Sequence, residues 1–465
     1  MKKKLFGLIL VFSLLLAGCG KEEITWKETI EPDVPRREQG PSAQNPTDNY
    51  TRSGPIVIYD EDLGDGVIFS LREDGRLVLT GADIHIAIAD TQAFKDYKDN
   101  ISIIEAGEGV KEIGEKAFAN LGDKVQKIVI GDSVEKIGYY ACANNTAVTQ
   151  VSFGNNLREI ADYAFSGCEK LTDVNMSGNI TTVGGYVFSG CKGLKNAILG
   201  PNITELGNCV FDNCEALTSL RIGCNVSDAA LSNNAKLVSV VLEDTVTSLG
   251  NRAFSNCPEL QNITFSDNLA NIGDYAFADC KKLKEAMLPD SVTEVGTRAF
   301  SGCEALVTAR FGSQIQDMGN MIFAGCKELK ELECNSSIGN SSFKDIENLE
   351  SVTIGATAVN IGEQAFSGCK KLMEIILPEG VQTIGDRAFY NCEGLRKISL
   401  PRTLTQVGAE FFYGTKELRT LYYNGSSGMW SKVKKDANNN WNKNISGAIT
   451  WINDFEIKTA KKEEG

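Results

Sequence analysis

The chain repeats a pattern every 23 residues, and this repeat constrains its fold more than any other feature. Fourteen times a short turn ends in a large apolar residue, with one interval of 24 residues and two of 20. These positions are Phe118, Cys142, Phe165, Phe188, Phe211, Leu231, Phe254, Phe277, Phe300, Phe323, Phe343, Phe366, Phe389 and Phe412. A fixed period of this length is typical of a solenoid, whose units bury their apolar sides only by stacking on one another.

Within one repeat the residue types have separate positions. Within residues 283–288, the apolar Leu283, Ala286 and Leu288 are separated by Lys284, Glu285 and Met287, as in a strand that buries one side. Pro289 follows that strand and ends it. Gly296 allows a turn or a close approach between coils, and Phe300 is expected in a buried column of aromatic rings. Because each coil exposes one side to solvent, a solenoid has a large accessible surface for its size. Such a surface favours a binding function over catalysis.

This pattern resembles the BspA-like leucine-rich repeats of bacterial surface proteins over residues 106–425. The resemblance implies a repeat solenoid: a right-handed, β-rich stack of about fourteen coils with a parallel sheet on one face. Residues 56–105 are predicted to form an N-terminal β cap, with a hairpin at 67–80 and a degenerate first coil at Phe94. Residues 426–465 are predicted to form a C-terminal cap and tail with the aromatic side chains of Trp430, Trp441 and Trp451.

Two coils, those ending at Leu231 and Phe343, are three residues short. We assign the shortening to residues 226–231 and 338–343, and we predict a local change in curvature or a dent there. Repeat drift and a binding notch are the two interpretations.

The N-terminus resembles a bacterial lipoprotein signal. Three lysines precede a mainly apolar run at residues 5–16, and Leu-Ala-Gly-Cys ends at Cys19. The apolar run is too short to span a bilayer as a lasting helix. The resemblance implies a signal peptide at residues 1–18 and acylation of Cys19, which attaches the protein to the membrane. The alternative is a conventional cleaved signal with a chance cysteine.

A tether is predicted at residues 19–55, which hold five of the ten prolines. Residues 20–23, Gly-Lys-Glu-Glu, resemble signals that bring some Bacteroidetes lipoproteins to the outer face of the outer membrane; the alternative is a charged tether. The predicted localisation is therefore the cell envelope, at the cell surface.

Nine of the fourteen cysteines occupy one repeat position, three residues after the large apolar residue. Each is expected to fill the same small buried slot as a free, unreactive thiol. No role is assigned to Cys142, Cys209, Cys224 and Cys334. The periodic cysteines are Cys168, Cys191, Cys214, Cys257, Cys280, Cys303, Cys326, Cys369 and Cys392.

Composition argues against several functions. A net charge of −14 repels phosphate backbones, so nucleic acid is not an expected partner. The single histidine, His85, excludes a histidine-rich metal site. We find no nucleophile motif or spaced carboxylate pair. The sequence therefore predicts no catalytic residues, no metal ligands, no cofactor and no enzyme activity.

The middle residue of each strand should face outward, and several of these residues are apolar, aromatic or arginine, as in protein contact surfaces. We predict a lipid-anchored surface protein that uses this face for adhesion to host, matrix or bacterial surface proteins. Glycan capture as an accessory to polysaccharide uptake, and a periplasmic interaction scaffold, are the alternatives. The candidate binding residues are Ile198, Arg221, Val241, Met287, Arg310, Ile376 and Tyr422.

Overall fold

The computed structural model describes residues 55–435 and the backbone of residues 450–453, which form a parallel-stranded solenoid of about 15 coils. The predictions for Cys19, the signal peptide, Trp441 and nearly all of the tether fall outside the described residues. Among the described residues, none forms a helix long and apolar enough to cross a membrane.

An antiparallel meander begins the fold. Strands β1 (Val57–Asp62), β2 (Ile68–Arg72) and β3 (Arg76–Thr80) pair in that order, and Gly75 turns between β2 and β3 with φ of 78°. Glycine adopts this left-handed backbone conformation without steric cost. The predicted hairpin is thus confirmed, and β3 then pairs in parallel with the first solenoid strand.

The degenerate first coil contains the longest helix of the described residues. Two 3₁₀ turns, Ile88–Asp90 and Lys98–Asn100, flank α1 (Gln92–Tyr97). The Thr91 hydroxyl caps α1 by accepting a hydrogen bond from the Phe94 N–H at 3.2 Å. Phe94 is buried on α1, at the position that the repeat spacing predicts.

The coils build two rows of parallel strands. The first row continues from β3 with β4 (Ile103–Ala106), β6 (Lys127–Ile130), β8 (Gln150–Ser152), β10 (Asp173–Met176), β12 (Asn196–Leu199), β14 (Ser219–Ile222), β15 (Ser239–Leu242), β17 (Asn262–Thr264), β19 (Glu285–Met287), β21 (Thr308–Phe311), β23 (Glu331–Cys334), β24 (Ser351–Ile354), β26 (Glu374–Ile376), β28 (Lys397–Leu400), β30 (Thr420–Tyr423) and β31 (Thr450–Asn453). The second row has two-residue strands: β5 (Glu112–Ile113), β7 (Lys136–Ile137), β9 (Glu159–Ile160), β11 (Thr182–Val183), β13 (Glu205–Leu206), β16 (Ser248–Leu249), β18 (Asn271–Ile272), β20 (Glu294–Val295), β22 (Asp317–Met318), β25 (Asn360–Ile361), β27 (Thr383–Ile384) and β29 (Gln406–Val407).

Neither row is a continuous ladder of hydrogen bonds. The first row is interrupted between β8 and β10, between β17 and β19, and between β24 and β26. Pro289 and Pro378 follow β19 and β26 closely, and proline lacks the N–H with which Gly223, at the same repeat position, bonds the carbonyl of Leu199 at 2.8 Å. Pro401 follows β28, whose ladder continues, so proline alone does not end a ladder.

The second row is interrupted at both short coils, where a single bridge replaces a strand: Val226 pairs with Leu249, and Ile338 pairs with Ile361. From Val226 to Leu231 the short coil is as long as its neighbours, so our assignment of the missing residues to segments 226–231 and 338–343 was wrong. The three residues are missing earlier, between the first-row strand and the bridge. The change in curvature stays a prediction.

In the shortened coils a side chain takes the place of a backbone acceptor. In a full coil the carbonyl of Thr181 accepts from the N–H groups of Thr204 and Glu205 at 2.8 and 3.1 Å. In the first short coil Asn225 Oδ1 accepts the equivalent pair of bonds at 2.8 and 3.0 Å. Ser337 Oγ does so in the second short coil, and Asp83 Oδ1 does so in the degenerate first coil. The donors of the following coil therefore remain satisfied where the chain is shorter.

The repeated large apolar residues form the expected column in the core. Phe254, Phe277 and Phe300 are fully buried, and their ring centroids lie 5.4 and 5.1 Å apart with nearly parallel planes. Leu231 and Cys142 occupy the same buried column in two coils. The large residue in each coil thus buries its side chain against the coils on either side.

The periodic cysteines also have one common geometry. Each thiol donates to the backbone carbonyl of the large apolar residue in the preceding coil, as Cys392 does to Phe366 at 3.1 Å. In three coils without this cysteine, Asn145 donates to the Phe118 carbonyl of the preceding coil, whereas Asn234 and Thr415 donate to the Leu231 and Phe412 carbonyls of their own coils. All thirteen cysteines that the structure describes are free, which confirms the predicted thiols. A hydrogen-bond donor thus fills the slot in twelve coils, whereas Leu121 and Ile346 fill it in the other two.

Buried thiols should make the fold sensitive to alkali. Burial raises the pKa of the Cys392 thiol from its ordinary value of 9.0 to about 12, as it does for Cys214 and Cys257. Between these pH values the unfolded chain releases protons that the folded chain retains, so the free energy of unfolding falls as pH rises. Cys392→Ala should reduce that fall by up to about 1.4 kcal/mol per pH unit.

Urea unfolding at several pH values from 8 to 11 measures this slope. Thr415→Ala is the matched control, because Thr415 is buried at the same repeat position but has no group that titrates in this pH range. Equal slopes for Cys392→Ala and the unmodified protein would show that the buried thiols do not carry the effect.

The C-terminal end closes both rows. Strand β31 pairs with β30, and Lys434 forms a bridge with Gln406 in the second row. Helix α2 (Ser427–Trp430) places Trp430 against Tyr423, with ring centroids 5.3 Å apart. Trp430 thus provides the predicted aromatic cap. The structure describes only the backbone of Trp451.

Candidate binding face

The outward row consists of the middle, outward-facing residue of each strand in the first row. Strand pairing aligns these residues with one another. Ile198 on β12 aligns with Arg221 on β14, which aligns with Val241 on β15. Met287 on β19 aligns with Arg310 on β21. Further along the solenoid, Ile376 aligns with Ser399, which aligns with Tyr422. The seven candidate residues thus lie on one face, in three groups separated by the interruptions of the ladder.

Two apolar residues of this row are exposed to solvent, whereas its two arginines are engaged in ion pairs. Met287 and Ile376 are each 45% exposed. Arg221 pairs with Glu243, and Arg310 pairs with Asp290 at 2.9 Å and with Glu333 at 3.7 Å. The arginines are therefore held by carboxylates of the same chain, whereas the exposed methionine and isoleucine present apolar surface to solvent.

A stack of tyrosines on another side of the coils was missed by the sequence analysis. Tyr140, Tyr163 and Tyr186 stack with centroid distances of 4.8 and 5.0 Å, and Tyr139 packs edge-on against Tyr140 and Tyr163. The three stacked residues have φ between 51° and 58°, a left-handed conformation unusual for tyrosine. Their 23-residue spacing was the signal that could have revealed them.

Cys209 follows these tyrosines at the same repeat position and is half-buried. Its hydrogen bond with the Tyr186 side chain raises the pKa of that tyrosine. Of the other cysteines without an assigned role, Cys142 replaces a column phenylalanine and Cys334 is inward on β23, while Cys224 is buried in the first short coil. These three positions are structural.

The part of the chain that the structure describes contains no cluster of three or more histidine, cysteine or acidic residues placed to hold a metal ion. His85 is exposed beside a single bridge between Ile84 and Ile113.

The sequence of these coils matches a family model described as BspA type leucine-rich repeat region, over residues 88–218, 224–340 and 332–440. The chain belongs to this family. The BspA-type leucine-rich repeat is a scaffold suited to protein interaction. No curated protein matches the chain significantly in sequence.

A solved structure of a bacterial leucine-rich repeat protein shares the fold of this BspA-type protein. A leucine-rich repeat protein from Bacteroides ovatus is 23% identical, with 85% of this chain and 98% of that chain covered and a TM-score of 0.57. A leucine-rich cell surface protein from Faecalibacterium prausnitzii is 20% identical, with 83% and 99% covered and a TM-score of 0.35. At these identities the likeness to the first structure shows the fold alone.

Proposed function

We propose that this BspA-type protein is a lipid-anchored cell-surface adhesin that captures proteins of a host, a matrix or other bacteria. The single observation that carries the binding role is the outward row, where Met287 and Ile376 expose apolar surface on an aligned sheet face. Exposed apolar side chains cost solvation free energy unless a partner covers them. The sequence around Cys19 supports the proposed lipid anchor, which would hold the solenoid at a membrane.

Replacing Ile198, Met287 and Tyr422 together with serine should abolish capture without unfolding the solenoid. All three side chains lie on the outward face, so their loss removes contact area and leaves the buried column intact. One sample of intact cells carrying the protein is treated with protease and probed with an antibody to the solenoid. A second, untreated sample is tested for capture on a panel of matrix proteins and on a glycan array.

The matched control replaces Ser152, Asn175 and Thr264, polar members of the same row, with alanine, and it should capture as the unmodified protein does. Circular dichroism checks folding of both variants. Digestion without lysis supports surface exposure, whereas protection until lysis favours a periplasmic scaffold. Unchanged capture by the serine variant, or capture of glycans alone, contradicts the proposed binding face.

A further inference from the structure

A cleft opens on the outward face where the first-row ladder is interrupted between β24 and β26. It has a volume of about 600 Å³. Val352, at an inward position of β24, is only half-buried here, whereas the equivalent inward residues of strands paired on both sides, such as Leu332, are buried. Met373 and Ile376 line the opposite wall and are 51% and 45% exposed. The interruption therefore leaves the inward Val352 partly uncovered, and the outward Met373 and Ile376 extend this apolar surface.

The ionisable side chains that line this cleft are all acidic: Glu350, Glu374 and Glu379. Glu374 lies 3.8 Å from Lys397, outside the lining. Glu350 has no ion-pair partner within the described ranges 55–435 and 450–453. An apolar surface edged by negative charge is complementary to a group that combines an aliphatic stem with a cationic end.

Glu379 is the least exposed of the three glutamates that line this cleft. The Asn424 side chain donates to Glu379 Oε1, and the Arg402 backbone N–H approaches the same oxygen at 3.5 Å. Glu379 Oε2 is buried and accepts no hydrogen bond in the described structure, and its nearest cation is Arg402 Nε at 3.9 Å. Because Oε2 is enclosed, Glu379 acts on the cleft through its negative charge and not through a hydrogen bond to this oxygen.

We infer that this cleft receives a lysine or arginine side chain of a partner protein, with the negative charge of Glu379 attracting its cationic end and with the residues flanking that cation on Val352 and Ile376. The inference rests on the proposed function, because it names the chemistry of a partner for the same face. The described residues hold no cluster suited to a metal ion, which favours an organic cation. The net charge of −14 also favours a basic partner.

The test uses fluorescent pentapeptide amides of alanine and leucine with a central lysine or arginine, and counterparts with central norleucine. Fluorescence polarisation with the folded protein should give at least tenfold weaker binding for norleucine than for the cationic peptides. Glu379→Gln should weaken the cationic peptides at least tenfold, because glutamine keeps the oxygen that Asn424 contacts but loses the charge. High salt should weaken binding in the same direction.

Asp290→Asn is the matched control. Asp290 follows Leu-Pro at the same repeat position as Glu379, but Arg310 already pairs with it at 2.9 Å. This variant should bind the cationic peptides within twofold of the unmodified protein. The inference is overturned if no cationic peptide binds more tightly than norleucine, or if both variants weaken binding equally.

The serine variant of the strand face keeps Glu379 and Ile376, so the two proposals can fail separately. If the peptides do not bind but the serine variant still abolishes capture, only the cleft assignment is lost. If the peptides bind as expected and the serine variant captures normally, the proposed role of the strand face is lost.

Discussion

Replacing Phe277 with alanine should lower the free energy of unfolding by about 3–5 kcal/mol. Phe277 is fully buried, stacks between Phe254 and Phe300, and meets Phe265 edge-on at 5.9 Å. Removing its ring deletes apolar contacts with three other rings and leaves a cavity. Since each coil is stabilised by its neighbours, the loss should extend to the coils on both sides.

Guanidinium unfolding followed by circular dichroism measures this change, and amide hydrogen exchange locates it along the solenoid. Phe277→Leu should cost less, because leucine fills part of the cavity. Lys281→Ala, on the exposed surface of the same coil, should stay within about 0.5 kcal/mol of the unmodified protein. If Phe277→Ala is as stable as Lys281→Ala, this result would falsify the aromatic column as a main source of stability.

Asn145→Ala should cost about 3 kcal/mol through unsatisfied backbone groups. Asn145 is fully buried, and its amide donates to the carbonyls of Phe118 and Cys142 at 2.7 and 2.8 Å. Its oxygen accepts the Leu121 N–H at 2.9 Å. Alanine can replace none of these three bonds, and the site has no contact with bulk water.

Asn145→Cys is the informative comparison, since it installs the residue that nine other coils use. A thiol at this position can donate to the Phe118 carbonyl, as the Cys168 thiol donates to the carbonyl of Cys142 in the preceding coil at 3.4 Å. We therefore expect the cysteine variant to retain part of the stability that alanine loses, as measured by urea unfolding. Equal losses for cysteine and alanine would mean that volume, and not hydrogen bonding, decides the residue at this position.

Much of the fold could be predicted because the repeat ties residue types to positions. The buried column at Phe277 and Phe300, the free thiols such as Cys392, and the outward placement of Met287 all follow from one 23-residue phase. A side chain that recurs at one phase has the same surroundings in each coil, so a single inference serves many residues.

The candidate cleft could not be predicted, because it depends on a difference between coils. Whether β24 and β26 pair is not visible in the repeat phase, and Glu379 lies 45 residues from its partner Asn424. The side chains of Asn225 and Ser337 were missed for a similar reason, since each acts only where a coil is short. The tyrosine stack was readable from spacing but required the left-handed turn to bring the rings together.

The interruptions of the two strand rows fall at different places along the solenoid. Where β8 and β10 do not pair, β9 and β11 do, and where β13 ends its sheet, β12 and β14 are bonded. The same holds at the other interruptions, so each coil between β3 and β30 is joined to the next by at least one ladder. Because the interruptions are offset, a pulling or shearing force cannot separate two neighbouring coils without breaking the backbone hydrogen bonds of at least one ladder.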